Sequence, residues 1–289
     1  MFYIQIVING LLLGGVYACI AIGLSLVWGV MNMINLTHGS LIILGAYTTF
    51  YLFTYFQIDP FLTIPISIVL LFIFGFAIQK YLINLMVRAP LFMTFIFTFA
   101  MDMILVNLGL VIFGGDFKMV TPAYSAYSLL IGEVKIPYIR IATFLIAMLI
   151  SGALFFFLGK TKTGMAIRST RMDREAAKML GVNLGNTYAI TFGLSAAMAG
   201  AGGSLASLIY AFNPVTGMSF TFSAFIVSVI GGLGSVMGAL VGGLLFGIID
   251  TLGSVLISQE FKEALNFAFF VLFLIFKPSG ILGKKYYEI

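Results

Sequence analysis

The run FYIQIVINGLLLGGVYACIAIGLSLVWGVM, residues 2–31, contains no Asp, Glu, Lys or Arg. As an α-helix it would be about 45 Å long, more than the roughly 30 Å hydrocarbon core of a bilayer. No basic region precedes it, so it is read as a genuine span rather than a cleavable signal peptide. The rest of the chain follows suit. Of its 289 residues 61 % are hydrophobic and 9 % charged, and the mean hydropathy is +1.14, whereas about a quarter of the residues of a soluble domain are charged. The apolar runs are about 20 residues long, which specifies a polytopic all-α membrane protein rather than a β-barrel of short alternating strands. A cytosolic enzyme, a nucleic-acid binder and a disulfide scaffold are excluded. Cys19, the single cysteine, reads as a small packing residue within the first span.

Further uncharged stretches fall at 36–56, 61–79, 91–113, 141–158, 188–210, 220–257 and 264–276, with Asp102 and Asp250 the charges inside them. Eleven of the fifteen cations form three clusters: Lys80 and Arg88; Lys160, Lys162, Arg168, Arg171, Arg174 and Lys178; and Lys277, Lys284 and Lys285. Basic segments mark the cytoplasmic side. This places the N-terminus and residues 114–140 outside and 80–90 inside. The second half leaves eight or nine crossings open. Only nine put the C-terminal lysines inside, and nine require a break within 220–257, which Gly231, Gly232 and Gly234 favour.

Gly10/Gly14, Gly234/Gly238/Gly242 and Gly243/Gly247 repeat the four-residue spacing that lets helix backbones approach closely in lipid. The same glycines allow a second reading. Gly-interrupted segments near 23–45 and 231–253, one in each half, match the unwound helices that line transport pathways.

The long basic loop 159–187 carries a helical signal. Thr170 and Asp173 have the spacing of a capping box, Asp173 and Glu175 suit a helix N-terminus, Lys178 suits a C-terminus, and Gly181 stands where a left-handed cap belongs. These residues predict an amphipathic helix over roughly 171–180, with Met172, Ala176, Met179 and Leu180 on one face and Arg171, Arg174 and Lys178 on another. Such a helix either lies on anionic lipid or enters a groove on a partner protein. Small residues at Ala176 and Ala177 permit close docking.

Glu175-Ala176-Ala177, three residues, then Gly181 resembles the cytoplasmic coupling (EAA) loop of ATP-binding-cassette importer permeases, without that loop's later Ile-x-Leu-Pro. Four ordered motifs carry a more specific resemblance. They are Gly23-Leu24-Ser25-Leu26-Val27-Trp28-Gly29-Val30 leading through Asn35-Leu36-Thr37-His38-Gly39 to Gly45-Ala46-Tyr47; Gly164-Met165-Ala166-Ile167-Arg168; Val229-Ile230-Gly231-Gly232-Leu233-Gly234-Ser235 with Gly238-Ala239; and Pro278-Ser279-Gly280-Ile281-Leu282-Gly283. Together they are similar to branched-chain amino-acid permeases of the LivH type. The resemblance implies one transmembrane permease domain over 1–289, in a bacterial inner membrane. It further implies a second related permease (LivM type), two cytoplasmic ATPases and an extracytoplasmic substrate-binding protein as partners. Arg171, Asp173, Glu175, Ala176, Ala177 and Gly181 would then couple the chain to ATP hydrolysis. Asn35, His38, Tyr47 and Asp102 would line the substrate pathway.

Gly159-Lys160-Thr161 has the ending of a phosphate-binding loop, but the first glycine would have to stand at position 154, which is Leu154. ATP chemistry is therefore expected in a partner. With one His and one Cys the chain offers no metal set or nucleophile constellation, and neither cofactor nor catalysis is expected. Asp102 sits mid-span, where an ionised carboxylate costs at least about 2.5–3.5 kcal/mol. Protonation, hydrogen bonds from residues such as Thr98 or Asn107, a watery cavity, another subunit's cation or a substrate ammonium could offset that cost. Asp250 poses the same question. Asn35 and His38 are expected near the cytoplasmic ends of the first two spans. The alternatives to an amino-acid importer are the same machine for urea or short amides, and an ion-coupled secondary transporter using Asp102 and Asp250.

Overall fold

Helices α1 (Phe2–Met31), α2 (His38–Phe56), α3 (Pro60–Tyr81) and α4 (Leu91–Phe113) make up the first half of the computed structural model. A small antiparallel hairpin follows, with β1 (Ser128–Ile131) and β2 (Val134–Pro137) in register from Ser128 opposite Pro137 to Ile131 opposite Val134. The second half contains α5 (Tyr138–Lys160), α6 (Lys162–Met172), α7 (Arg174–Met179), α8 (Leu184–Ala206), α9 (Gly217–Gly231), α10 (Val236–Leu256) and α11 (Lys262–Phe276). The structure describes residues 2–86, 90–131, 134–256 and 261–283; Arg88, Lys284 and Lys285 of the basic clusters lie outside them.

Among the described residues, eight helical stretches are long and apolar enough to cross a membrane: α1 to α5, α8, α10 and residues 214–231, which include α9. The apolar run 220–257 is thus two helices, as its glycines favoured. The chain reverses at 232–235, where Gly232 and Gly234 have φ of +106° and +77°, conformations open to glycine at little cost. Ser235 Oγ accepts the Gly238 N–H at 3.0 Å and caps α10. α11 has only 15 residues, about 22 Å of helix. After it the chain returns to the end of α9, where the Ile281 and Leu282 N–H groups donate to the Ile230 and Gly231 carbonyls at 2.8 and 2.9 Å. The far end of α11 therefore lies beside the α9–α10 turn. That turn packs on the end of α1, since a Cβ on Gly29 would lie 3.0 Å from Gly234 Cα. The same atom would stand 3.4 Å from Arg171 Nε, which belongs to the basic loop. Lys277 and that loop thus lie at the same end of the bundle.

α1 is the buried axis of the bundle and packs against α5, α8, α9 and α10. The glycine spacing explains its tightest seam. A Cβ on Gly10 would meet Ile248 Cα at 2.7 Å, and one on Gly14 would meet Leu244 Cα at 2.7 Å and the Gly243 carbonyl at 2.8 Å. Backbones in contact along α1 and α10 are how helices associate in lipid, where burying apolar surface gives no advantage. The remaining glycines of the series, Gly234, Gly238 and Gly242, face the end of α1 or α9. At the opposite end of the bundle Asp59 accepts the Phe61 N–H at 2.9 Å and starts α3, with Pro60 in the first turn. The Tyr124 hydroxyl donates to the other Asp59 oxygen at 2.9 Å. Burial, together with that carboxylate, pushes the Tyr124 hydroxyl well above the ordinary tyrosine range.

Candidate functional site

Residues 32–37 carry the chain from α1 into α2 in non-helical form. They lead back along α1 rather than start α2 level with its end. The His38 Nε2–H donates to the Ile20 carbonyl at 3.0 Å, eleven residues before the end of α1. His38 and the start of α2 therefore lie roughly 16 Å inside that end. Backbone unwound at such depth must find partners within the protein, and Thr98 of α4 supplies them. Its hydroxyl accepts the Leu36 N–H at 3.3 Å and donates to the Ile34 carbonyl at 3.0 Å, while its own carbonyl accepts the Thr37 hydroxyl at 3.0 Å. The sequence separates the two spans here and marks 23–45 as an interrupted segment, but with neither Gly nor Pro in 32–37 it does not show how far the chain folds back along α1. Asn35 is fully enclosed at the break and its amide makes no protein hydrogen bond; the same holds for His38 Nδ1.

One turn along α4, Asp102 faces the beginning of α2. Its Oδ1 accepts the Ser40 hydroxyl at 2.5 Å, and the Ser40 backbone is also turned toward it. The expected partners Thr98 and Asn107 are engaged elsewhere, Thr98 with 34–37 and Asn107 with the Met103 carbonyl. A hydroxyl and the N-terminal end of α2 thus stand at the Asp102 carboxyl, both brought by the unwound segment. Ser40, the partner of Asp102, and Tyr47 border one groove. Tyr47 lines it together with Ser40, Ile43, Leu44, Leu105 and Val106. The Tyr47 ring stacks on Phe113 at 4.1 Å, and its buried hydroxyl makes no hydrogen bond. Three of the four expected pathway residues, Asn35, His38 and Asp102, thus gather about the α2 N-terminus, and Tyr47 lies about two turns along α2.

Asp250 is held differently. Lys262, the first residue of α11, forms an ion pair with its Oδ2 at 2.8 Å. The Tyr17 hydroxyl donates to Oδ2 at 3.1 Å and Asn266 Nδ2 donates to Oδ1 at 2.8 Å. The Lys262 ammonium also lies 5.3 Å above the Tyr210 ring, and the Tyr17 and Tyr210 hydroxyls are 3.2 Å apart. Lys262 stands just outside the uncharged stretch 264–276, so the sequence hid Asp250's countercharge from view.

On the basic side the single helix expected over 171–180 is divided. α6 runs on to Met172, and Asp173, in extended conformation, starts α7 by accepting the Glu175 and Ala176 N–H groups at 2.9 and 3.0 Å. Thr170 forms no capping box; its hydroxyl donates to the Ala166 carbonyl within α6. Gly181 adopts φ +84° as expected of a left-handed cap. Gly159-Lys160-Thr161 is a helix corner, with the Thr161 hydroxyl accepting the Gly164 N–H at 2.9 Å. The side of this helix pair turned to the bundle carries Ala177, which is buried, and Arg174, which donates to the Val30 carbonyl at 3.4 Å. Its outer side presents Met172, Met179 and Leu180, which are 83, 86 and 83 % exposed.

Comparison with known proteins bears on this arrangement. The sequence profile of the branched-chain amino acid transport system permease component matches residues 6–275. The high-affinity branched-chain amino acid transport system permease protein BraD of Pseudomonas aeruginosa is 30 % identical, over 99 % of this chain and 97 % of that protein. LivH of Escherichia coli K12, of the same description, is 30 % identical over 100 % of this chain and 98 % of its own length. A probable branched-chain amino acid transport permease protein LivH of Methanocaldococcus jannaschii is 27 % identical over 91 % of this chain and 87 % of its own. No solved structure matches the chain.

Proposed function

The chain belongs to the family of branched-chain amino acid transport permease components, and from that premise we propose that it is the membrane subunit of an ATP-driven importer of branched-chain amino acids. It is a transport subunit, a multi-pass protein of the inner membrane. ATP hydrolysis falls to two cytoplasmic partner ATPases, substrate delivery to an extracytoplasmic binding protein, and the other half of the pathway to a second related permease of the LivM type.

The observation that carries this reading is the α6–α7 pair. Three large apolar side chains face outward on a basic, cytoplasmic helix pair. Its inner side meets the last turn of α1 through Arg174, with Arg171 beside Gly29. Exposed methionines are adaptable docking side chains, and the small, exposed Ala176 of the same helix pair permits close approach of a partner. Arg171, Asp173, Glu175, Ala176, Ala177 and Gly181 form the docking element, within one permease domain. Movement of this element drives alternating access, and the helices around 32–37 and 232–235 open the pathway to one side or the other. Asn35, His38, Tyr47 and Asp102 line that pathway.

The test is uptake in proteoliposomes holding the complete assembly. Labelled leucine should accumulate when ATP is enclosed with the ATPases, and should do so without an ion gradient. Accumulation of urea in place of leucine, or uptake that needs only a proton gradient, refutes the reading.

A further inference from the structure

We propose that the corner between α5 and α6 is a binding site for an anionic phospholipid, its phosphate held by Lys160, Lys162 and Arg168 and an acyl chain laid along the outer face of α5.

The corner gathers charge of one sign. Thr161 alone separates the end of α5 at Lys160 from the start of α6 at Lys162. Arg168, two turns along α6, is drawn back to them, because its Nη2 donates to the Gly159 carbonyl at 3.2 Å. That bond uses one of the five N–H donors of the guanidinium and leaves the charge in place. All three side chains belong to exposed residues. Residues 159–172 contain no Asp or Glu, and among the described residues none of the three cations forms an ion pair. A phosphodiester carries one negative charge on two free oxygens, so it can accept from an ammonium and a guanidinium at once. The corner closes the basic, cytoplasmic end of a 23-residue span, which sets it at the level of the headgroups of that leaflet.

The face of α5 that leads away from these cations is apolar and notched. Leu149, Gly152, Phe156 and Gly159 follow one another at spacings of four, three and three to four residues and so share one side of the helix. Leu149 and Phe156 are 71 and 68 % exposed. A Cβ on Gly152 or on Gly159 would meet no atom within 4 Å. These glycines therefore differ from those of the α1–α10 seam, where backbone of the same chain fills the space. They leave two recesses about 10 Å apart along the helix, one on either side of the Phe156 ring. A hydrocarbon chain lying in them ends at the cations. One phospholipid uses both features together. An acidic segment of a partner protein would use the cations and leave the notched face bare, and a free phosphate would do the same.

The test is the lipid that the full chain retains when released for native mass spectrometry from nanodiscs of equal phosphatidylglycerol and phosphatidylcholine. Wild type should keep phosphatidylglycerol over phosphatidylcholine by about 10-fold, and Lys160→Gln/Lys162→Gln should keep the two nearly equally. Gly152→Leu fills a recess without touching the rest of the chain, and should lower the retained phosphatidylglycerol several-fold with no loss of melting temperature. Millimolar inorganic phosphate added beforehand should displace none of it. A wild type without preference between the two lipids overturns the proposal and leaves the cations to an acidic protein partner. A preference that survives in Lys160→Gln/Lys162→Gln overturns it as well, and so does displacement by phosphate, which would make this a site for the free anion. Should the lysine variant fail to insert, Gly152→Leu decides, and retention equal to wild type refutes the site.

Discussion

Removing Lys262 should harm the fold more than removing its partner Asp250. The Asp250 side chain is 2 % exposed and that of Lys262 19 %. In Lys262→Met the carboxylate keeps the Tyr17 hydroxyl and the Asn266 amide but loses its only formal countercharge among the described residues. Stranding one member of a buried pair costs about 3–5 kcal/mol. In Asp250→Asn the new oxygen can still accept one of those neutral donors, and Lys262 can swing its ammonium outward on a flexible stem. A loss of about 1–2 kcal/mol is expected there, in the range of one hydrogen bond to a charged group. The double variant Asp250→Asn/Lys262→Met leaves no stranded charge and should be more stable than Lys262→Met alone, giving a coupling of about 2 kcal/mol. Thermal melting of the chain in nanodiscs reads these differences, at about 2–4 °C per kcal/mol for a chain of this size. A Lys262→Met variant that melts within a degree of wild type, or a double variant whose loss equals the sum of the singles, refutes the argument.

At the α1–α10 seam, Gly14→Val forces a branched side chain against Leu244 Cα and the Gly243 carbonyl. Because backbone cannot move aside as a flexible side chain can, a destabilisation of about 1–3 kcal/mol or more is expected, and a melting point equal to wild type would show the seam to be looser than described. Gly181→Asp places a β-carbon at φ +84° and strains the end of α7 by on the order of 1 kcal/mol. Membrane insertion should be unchanged while leucine uptake falls relative to ATP consumed; uptake coupled as in wild type would remove this turn from the docking element.

What the sequence revealed and what it hid differ in the range of the interactions involved. Spans were legible because a run such as 2–31 reports its own solvent. The reversal at 232–235 was legible because glycine marks positive φ, and the end of α7 because Gly181 stands in a left-handed cap, whereas its start, read from Thr170, falls at Asp173. The unwound stretch 32–37 carries no such mark. Its partner is Thr98, more than sixty residues away, and nothing local shows that a threonine in the middle of one span serves the backbone of another. Asp102 stood out as a charge in lipid, but Ser40 as its partner depends on that same hidden turn. Lys262 illustrates the converse: it fell outside the stretches searched for charge because it begins its helix.

The three interruptions of helix meet physically, and this governs how a push on α6–α7 can travel. Arg174 touches the Val30 carbonyl and Arg171 lies beside Gly29, so a displacement of the helix pair reaches the last turn of α1 first. Gly29 packs on Gly234 with no side chain between them. A contact of backbone on backbone cannot be absorbed by a change of rotamer, so the α9–α10 turn must follow, and with it the segment 281–282 bonded to the end of α9. The same α1 carries Ile20, whose carbonyl anchors His38 at the head of α2. A shift of α1 along its axis would therefore move the α2 N-terminus relative to α4 and alter the Ser40 contact that stabilises Asp102. A bulky side chain at Gly29 ought then to disturb this transmission on both sides, since its Cβ would stand 2.9 Å from the Gly234 carbonyl oxygen and 3.4 Å from Arg171 Nε; leucine uptake per ATP consumed equal to wild type in proteoliposomes would refute it.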